Sequence, residues 1–403
     1  MHIAMLSAEY PPRWGGMGST VFHLSSALAS RGHNVTIITR NGGGKNIPSI
    51  PGVEVISVGW LRIPMEFTRS YGRTALRALK KLNKSNPVDV VHLHCPMISW
   101  TEKQFRYCKM NIGPIVSSLH GSWLGEKDGL LTAKEQKETA VWANPNDLAI
   151  LLTSKRYAKF ENQALSGSDV CVANSEATKR DFISRYSPPT DWDCEVIHWG
   201  VDTEMFTPAE TRDKDLRRRF GCSEEDILLL AVGRLAARKG YGSLLRAFAL
   251  VNSEFSNSKL VIVGRGHLRK RLLNQAHSLG ISSSVYIESS MSFEELAKLF
   301  RNADLTVYPS YYEGQGLIPL ESMSSGTPVV TVNHGPLPEM VDSAVGSLFQ
   351  MGNINSMSST IIKEISNMDV LKDKGIAGRK RVLQKFTYEI DAESFIEIYD
   401  RIQ

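Results

Sequence analysis

Two glutamates in one glycine-punctuated stretch are the first residues whose types and spacing suggest chemistry. Tyr308-Pro-Ser-Tyr-Tyr-Glu-Gly-Gln-Gly-Leu-Ile-Pro-Leu-Glu321 sets Glu313 and Glu321 as E-x7-E and runs on to Gly326-Thr-Pro-Val-Val330. Apolar Leu305–Tyr308 reads as a strand, the glycines as a loop, and a helix should begin near Leu317, just after Gly316. Pro319 is tolerated in its first turn, where N–H groups lack helical partners anyway. Gly326 followed by Pro328 should stop it. Such a helix start offers free N–H groups and a positive dipole end, a site for a diphosphate or for the charge that develops on it. A carboxylate near phosphates belongs on hydroxyls, because like charges repel, so sugar or ribose hydroxyls suit Glu313 and Glu321. The plainer alternative for Glu321 is a first-turn acid complementing the helix dipole.

The positive counterpart is Gly233-Arg234-Leu-Ala-Ala-Arg238-Lys239-Gly240, directly after the apolar run Ile227–Val232. Cations on a loop at the carboxyl end of a strand suit a phosphate clamp, with arginine binding bidentately and lysine acting as a mobile point charge. A solvated basic loop is the alternative. Leu260–Val263 leads into Gly264-Arg265-Gly266, a turn that lets a nucleotide approach closely. Neither this turn nor Gly15-Gly16-Met17-Gly18 completes a dinucleotide fingerprint: the third position is Arg269 in one and Ser19 or Thr20 in the other, and no convincing acid follows about 20 residues on. His92 and His94 alternate onto one strand face beside Cys95, but no further cluster completes a metal set, so strand-end packing is the better reading.

The elements that must position these groups alternate as strand and helix. Ile3–Ala8 reads as a strand and Trp14–Gly18 as a glycine loop; Val21, Phe22, Leu24 and Leu28 recur at helical spacing until Gly32. Val35–Thr39, Val88–Leu93, Ile115–Leu119 and Val170–Ala173 continue the rhythm, which restarts at Ile227 after a seam at Trp199 to Pro208. Repeated β-then-α units predict parallel sheets covered on both faces. Ser292-Phe-Glu-Glu295 has the form of a capping box for a helix to Asn302. Two segments break the pattern. Residues from Trp123 to Lys159 read as a long polar loop, a lid or an insertion. Arg62 to Lys84 carries Arg62, Arg69, Arg73, Arg77, Lys80, Lys81 and Lys84 against Glu66, with Leu76, Leu79 and Leu82 at helical spacing. It is either a basic amphipathic helix for an anionic membrane surface or a domain helix with its leucines in the core.

Bulk properties agree with a globular enzyme. A chain of 403 residues suggests about two domains, and 42% apolar with 22% charged residues excludes global disorder. Net charge of +5 suits anionic small molecules or a membrane surface and does not call for nucleic acid. The cysteines Cys95, Cys108, Cys171, Cys194 and Cys222 are scattered and odd in number, as expected of reduced thiols. No signal-peptide pattern and no run of about 20 apolar residues is read, so the expected location is cytoplasmic, or peripheral on the inner face of the membrane.

The motifs also come in a telling order. Gly15-Gly16-Met17-Gly18, Asp89-Val-Val-His-Leu-His94, Ser118-Leu-His120-Gly121, Ala173-Asn-Ser175 and Val196-Ile-His-Trp-Gly-Val-Asp202 precede Gly233-Arg234 with Lys239-Gly240 and the E-x7-E stretch. This ordered set spans nearly the whole chain and resembles the retaining glycosyltransferases of GT-B architecture, family 4 (glycosyl transferases group 1).

The resemblance implies an α/β fold of two Rossmann-like, doubly wound domains with an interdomain cleft. Residues 1–200 would bind the acceptor, 201–385 the donor, and 386–403 would form a helix packing back on the N-terminal domain. Arg234 and Lys239 match the family's donor-diphosphate pair, Glu313 the acid on the transferred sugar, Glu321 the acid on the ribose, and His120 the histidine beside the transferring sugar. Gly16 matches the glycine that lets backbone approach phosphates, with Gly18 in the same loop; Gly233, Gly264, Gly316 and Leu317 complete the donor-binding turns. The implied reaction moves a hexosyl unit, with retention, from a UDP- or GDP-type sugar to a hydroxyl of a sugar, glycan or lipid-linked acceptor. No cofactor and no metal are expected, since fixed cations serve the leaving group. A non-catalytic nucleotide-sugar-binding or scaffold protein, or a GT-B epimerase or phosphorylase, is the rival reading; an intact set of Arg234, Lys239, Glu313 and Glu321 favours transfer. Gln315, Pro319 and the Glu288-Ser289-Ser290 turn depart from the family's pattern, and the last bears on which base is recognised.

Overall fold

The computed structural model describes residues 1–12, 15–42, 47–138, 141, 144–289 and 291–403; Trp14 of the glycine loop and Ser290 of the turn after Glu288 lie outside them. The chain divides into two units. One comprises Met1–Lys127, Leu148–Gly200 and Tyr388–Gln403, the other Asp128–Asp147 and Val201–Thr387.

The N-terminal unit is built on a parallel sheet of β1 (His2–Leu6), β2 (Asn34–Arg40), β3 (Val53–Val58), β4 (Val90–Cys95), β5 (Ile115–Leu119), β6 (Val170–Ala173) and β7 (Cys194–Val196). Their order is β3-β2-β1-β4-β5-β6-β7. Every residue of β1, β4, β5 and β6 is buried, as expected of strands in a parallel sheet covered on both faces. The helix Gly16–Ser30 starts earlier than the sequence suggests, so Gly16 and Gly18 sit in its first turn and not in a loop. Gly15 caps it in an extended conformation, Ser19 N–H closes the turn on Gly15 O at 2.9 Å, and buried Met17, Val21, Leu24 and Leu28 anchor it. Tertiary burial thus outweighs the glycine penalty of about 1 kcal/mol per residue.

The stretch from Trp123 to Lys159 is not a loop. It holds most of two helices, Trp123–Glu135 and Pro145–Gly167. Ser122 Oγ accepts from Gly125 N–H at 2.9 Å to cap the first. Asn144 Oδ1 accepts from Asn146 N–H at 2.8 Å to cap the second, with Pro145 at its first position. The Asn-Pro pair that reads as loop punctuation is therefore a helix start. The basic segment forms the helix Glu66–Ser85, with Tyr71, Ala75, Leu76, Leu79 and Leu82 in the core and Arg73, Arg77, Lys81 and Lys84 exposed. Its leucine edge faces inward, and its outer face is basic. The last helix, Tyr388–Ile402, packs on Gly16–Ser30, where the His23 and Tyr388 rings stack at 4.8 Å.

The C-terminal unit repeats the plan with β8 (Ile227–Val232), β9 (Ser258–Val263), β10 (Val285–Glu288), β11 (Leu305–Tyr308), β12 (Val329–Val332) and β13 (Gly346–Phe349), all parallel in the order β10-β9-β8-β11-β12-β13. Ser292 and Glu295 form the capping box of the helix Phe293–Asn302. The helix Leu317–Ser324 ends in a Schellman motif: Gly326 (φ 78°) and Thr327 donate to Met323 O and Ser322 O. Strand order reverses between β8 and β11, and ligands of such sheets bind at the carboxyl ends of the strands flanking that switch. No helix among the described residues is long and apolar enough to cross a membrane.

Candidate active site

Two loops leave the switch point of the C-terminal sheet, residues 233–240 after β8 and 309–316 after β11. Gly240 (φ 71°) allows them to touch: a Cβ there would lie 2.3 Å from Pro309 O. Tyr311 N–H donates to Arg238 O at 2.9 Å, so the two loops are joined backbone to backbone. Lys239 and Arg238 lie in a short 3-10 turn and are each only 8% exposed. Lys239 Nζ pairs with Glu313 Oε1 and donates to Tyr308 Oη at 3.0 Å, while Tyr308 Oη donates to the same carboxylate oxygen at 2.7 Å. Arg238 Nη1 stands 3.9 Å from Glu313 Oε1 and donates to Tyr312 O at 3.2 Å. Arg234 is exposed at the mouth of the first loop.

Burial and charge act on these groups in opposite directions. Burial alone would raise the Glu313 carboxyl, but Lys239 and Arg238 pull it down to about 2. Burial brings the Lys239 ammonium down to about 8 against the upward pull of Glu313. Both members of the pair are therefore charged at neutral pH. Glu321, in the helix Leu317–Ser324, has no such compensation. Its Oε2 is buried without a hydrogen-bond partner, and burial pushes its carboxyl up to about 8. Glu321 is the fifth residue of its helix and buried, so it is not a first-turn acid complementing the dipole.

Glycines set the close approaches around this pair. A Cβ on Gly264 would sit 1.8 Å from Gly233 O, and Leu235 N–H donates to Arg265 O at 2.9 Å, so the β8 and β9 loops interlock. Gly233 (φ 142°) has the Tyr241 hydroxyl 2.9 Å from where a Cβ would stand. Gly316 (φ 99°) turns the chain into Leu317, the first residue of its helix. The structure thus brings Gly233, Lys239, Gly264, Glu313, Gly316, Leu317 and Glu321 to one end of one sheet. Arg238 was read from sequence only as one of the loop cations, and Tyr308 and Tyr241 were given no role; the position of Tyr308 at the end of a strand, before Pro309, hinted at its place.

The N-terminal unit holds a second polar cluster. His120 follows β5; its Nε2 lies 2.9 Å from His94 Nδ1, and its ring stacks on Trp199 at 5.1 Å. His92 Nδ1 meets Tyr399 Oη at 2.7 Å and Nε2 meets Ser118 Oγ at 2.6 Å. Burial lowers His92 and His120 to about 3 and His94 well below its ordinary value, so all three rings are neutral. One ring of the His94–His120 pair then donates and the other accepts. Alternation does place His92 and His94 on one face, their rings 4.3 Å apart. Among the described residues no group of three or more His, Cys, Asp or Glu side chains is arranged to hold a metal ion. Gly16 and Gly18 lie in this unit, at a helix start whose cap, Gly15, makes no side-chain hydrogen bond.

Comparison with known proteins bears on both halves. The model of the glycosyl transferases group 1 matches residues 212–381, and that of glycosyltransferase family 4 matches residues 14–205. An uncharacterized glycosyltransferase of Methanocaldococcus jannaschii is 27% identical over 410 residues, covering 99% of this chain and 98% of that protein. Among solved structures, the sucrose-phosphate synthase of Thermosynechococcus elongatus superposes with a TM-score of 0.82 at 20% identity, over 99% of this chain and 98% of its own. Anabaena HepE, solved in complex with UDP-glucose, superposes with a TM-score of 0.73 at 18% identity over 100% of both chains. The structural likenesses show the fold, and consecutive family matches over both halves show the lineage: this chain belongs to the family 4 (group 1) glycosyltransferases, with the two Rossmann-like units of the GT-B fold.

Proposed function

We propose that this glycosyltransferase moves a hexosyl unit, with retention, from a UDP- or GDP-type sugar to a hydroxyl of a sugar, glycan or lipid-linked acceptor. The observation that carries the reading is the buried Lys239–Glu313 pair at the switch point, beside the start of the Leu317 helix. A donor diphosphate is the ligand that can exchange with such a pair. It takes Lys239 as its counter-ion, with Arg234 closing from the exposed side, and releases the Glu313 carboxylate to accept hydroxyls of the transferred sugar. Glu321 Oε2 accepts from the ribose, which supplies the donor it lacks. The UDP-glucose bound by the Anabaena neighbour supports a nucleotide-sugar donor.

Transfer then proceeds on the face the leaving diphosphate occupies. No side chain is assigned as a covalent nucleophile; the departing phosphate oxygen takes the acceptor's proton as the new glycosidic bond forms. Negative charge growing on that diphosphate meets Lys239, Arg234 and the free N–H groups of the Leu317 helix, and preorganised charge of this kind is usually the largest catalytic contribution. Because these cations are built in, the reaction runs without a divalent metal. Neutral His120 offers a ring nitrogen to the sugar, and the uncapped helix start at Gly16 and Gly18 offers N–H groups to phosphate. The exposed cations of the Glu66–Ser85 helix, with exposed Leu61 and Ile63 just before it, provide attachment to an anionic membrane surface.

Screening UDP- and GDP-sugars for thermal stabilisation identifies the donor, since a ligand that binds only the folded state raises its stability. With that donor, Lys239→Ala should lower kcat/KM by on the order of 10²–10³. Turnover of the variant at the wild-type rate would refute the assignment.

A further inference from the structure

Asp128–Asp147 belongs with the C-terminal unit although it lies in the first half of the chain. Its described residues reach all three loops of the candidate donor site. A Cβ on Gly129 would stand 2.5 Å from Tyr312 Cβ, so this backbone packs against the residue preceding Glu313. Asn144 Nδ2 lies 3.0 Å from His267 Nδ1, one residue past the Gly264–Gly266 turn. Between them Glu138 is buried, and its Oε2 accepts from Gly242 N–H at 3.0 Å. Glu138 Oε1 accepts from Ser243 N–H at 2.7 Å and from the Tyr311 hydroxyl at 3.1 Å.

These are the bonds a capping side chain would make. The helix Tyr241–Glu254 starts at Gly240, which has no side chain, and Gly242 and Ser243 carry the N–H groups a cap normally satisfies. A carboxylate about a hundred residues away in sequence supplies the cap, and its charge suits a helix N-terminus. The fit is close: a Cβ on Gly242 would come within 2.5 Å of Glu138 Oε2. Through Tyr311 the same carboxylate reaches the second loop. The Tyr311 hydroxyl also meets Ser243 Oγ at 2.7 Å, and its backbone N–H is bonded to Arg238 O. Glu138 therefore fixes the end of the loop that carries Lys239 and a point two residues before Glu313.

We infer that Glu138 is a positioning residue of the donor site, holding the Lys239 and Glu313 loops in register through Gly242, Ser243 and Tyr311 without touching substrate. The inference rests on the donor-site reading above. It also explains why the Tyr241 helix start, next to Lys239, is not a second phosphate site: its N–H groups are already taken.

The test is calorimetric titration of the full chain with UDP and with GDP. Tyr311→Phe keeps the ring and the helix cap and removes only the hydroxyl link, whereas Glu138→Gln sets an amide N–H₂ against a backbone N–H. For the nucleotide that wild type binds, Tyr311→Phe should weaken affinity about 5-fold and Glu138→Gln about 10-fold or more, as expected for lost hydrogen bonds to a charged group. In a Lys239→Ala background the further effect of Tyr311→Phe should fall below about 2-fold, because residues acting through one another do not add. A purely structural role would instead give a full, additive loss. Wild-type affinity in Tyr311→Phe, or full additivity with Lys239→Ala, overturns the inference. Failure of wild type to bind either nucleotide, or an unchanged affinity in Lys239→Ala alone, overturns the donor-site reading itself and is recognisable as such.

Discussion

Glu321→Gln should make the protein more stable at alkaline pH, and the size of the gain follows from where the carboxyl lies. Its ordinary value of 4.5 is raised by burial to about 8, and its Oε2 has no partner. A group whose folded value lies above its unfolded value contributes stability that is fully present below about pH 4.5 and is lost as pH rises through about 8. The whole interval corresponds to roughly 5 kcal/mol as an upper bound, of which roughly 3 kcal/mol falls between pH 5.5 and pH 9. For a unit of this size about 2–4 °C accompanies each kcal/mol, so the Tm gap between Glu321→Gln and wild type should widen by roughly 6–12 °C over that range. Thermal unfolding of both proteins at pH 5.5, 7 and 9 measures it. Other groups raised by burial, such as Glu161, titrate in both proteins and cancel in the difference. A gap that stays constant with pH would refute the reasoning, because it would mean that Glu321 is solvated or paired in solution. Nucleotide adds a second arm: a ribose on Glu321 should stabilise wild type more than the variant.

Transfer should persist in excess EDTA once the donor is known; complete loss on chelation, restored by Mg²⁺ or Mn²⁺, would show that the fixed cations are not sufficient. Gly264→Ala places a Cβ 1.8 Å from Gly233 O, so the β8 and β9 loops must part; a stability loss of about 1–3 kcal/mol in denaturant unfolding is expected, with nucleotide binding lost by calorimetry. Anionic but not neutral vesicles should co-sediment the protein, at about 1 kcal/mol per surface cation, and high salt or Lys80→Glu with Lys81→Glu should release it; equal partitioning of wild type and the double variant would leave the Glu66–Ser85 helix a solvated domain helix.

Local signals carried several strands and helices of the C-terminal unit. The run Ile227–Val232 is uninterrupted because this strand is buried on both faces, and the helix Phe293–Asn302 starts where Ser292 and Glu295 cap each other. The stretch from Trp123 to Lys159 failed as a local reading because Asn144 and Pro145 look like turn residues until the bonds to Asn146 and Asp147 are seen. Gly16 and Gly18 misled for the opposite reason: they are poor helix formers held in a helix by the burial of Met17, Val21 and Leu24. The candidate site divides along the same line. Lys239, Glu313 and Glu321 stand next to glycines that mark turns, so spacing exposed them. Glu138 and His94 have no such neighbours; what gives them meaning are partners far away in sequence, Gly242, Ser243 and Tyr311 for one, His120 for the other.

The two carboxylates of E-x7-E illustrate how one residue type takes two parts. Glu313 lies against two cations and a tyrosine hydroxyl and is held down to about 2, so it is ionised at every physiological pH. Glu321, in the helix that follows, is buried with an unpartnered Oε2 and is held up to about 8. Environments that push two like groups apart usually mark different roles. Here the paired acid can be released only by a ligand that replaces it at Lys239, which calls for an anion. The unpaired acid gains from a ligand group that can hydrogen-bond to it, and a hydroxyl does so whether the carboxyl is protonated or ionised. Helix N-termini sharpen the choice, since Glu138 occupies the one beside Lys239 and the glycine-led start at Leu317 remains for the anion. A molecule that answers all three demands carries a phosphate group and hydroxyls on one frame, and a nucleoside diphosphate bearing a sugar is such a molecule.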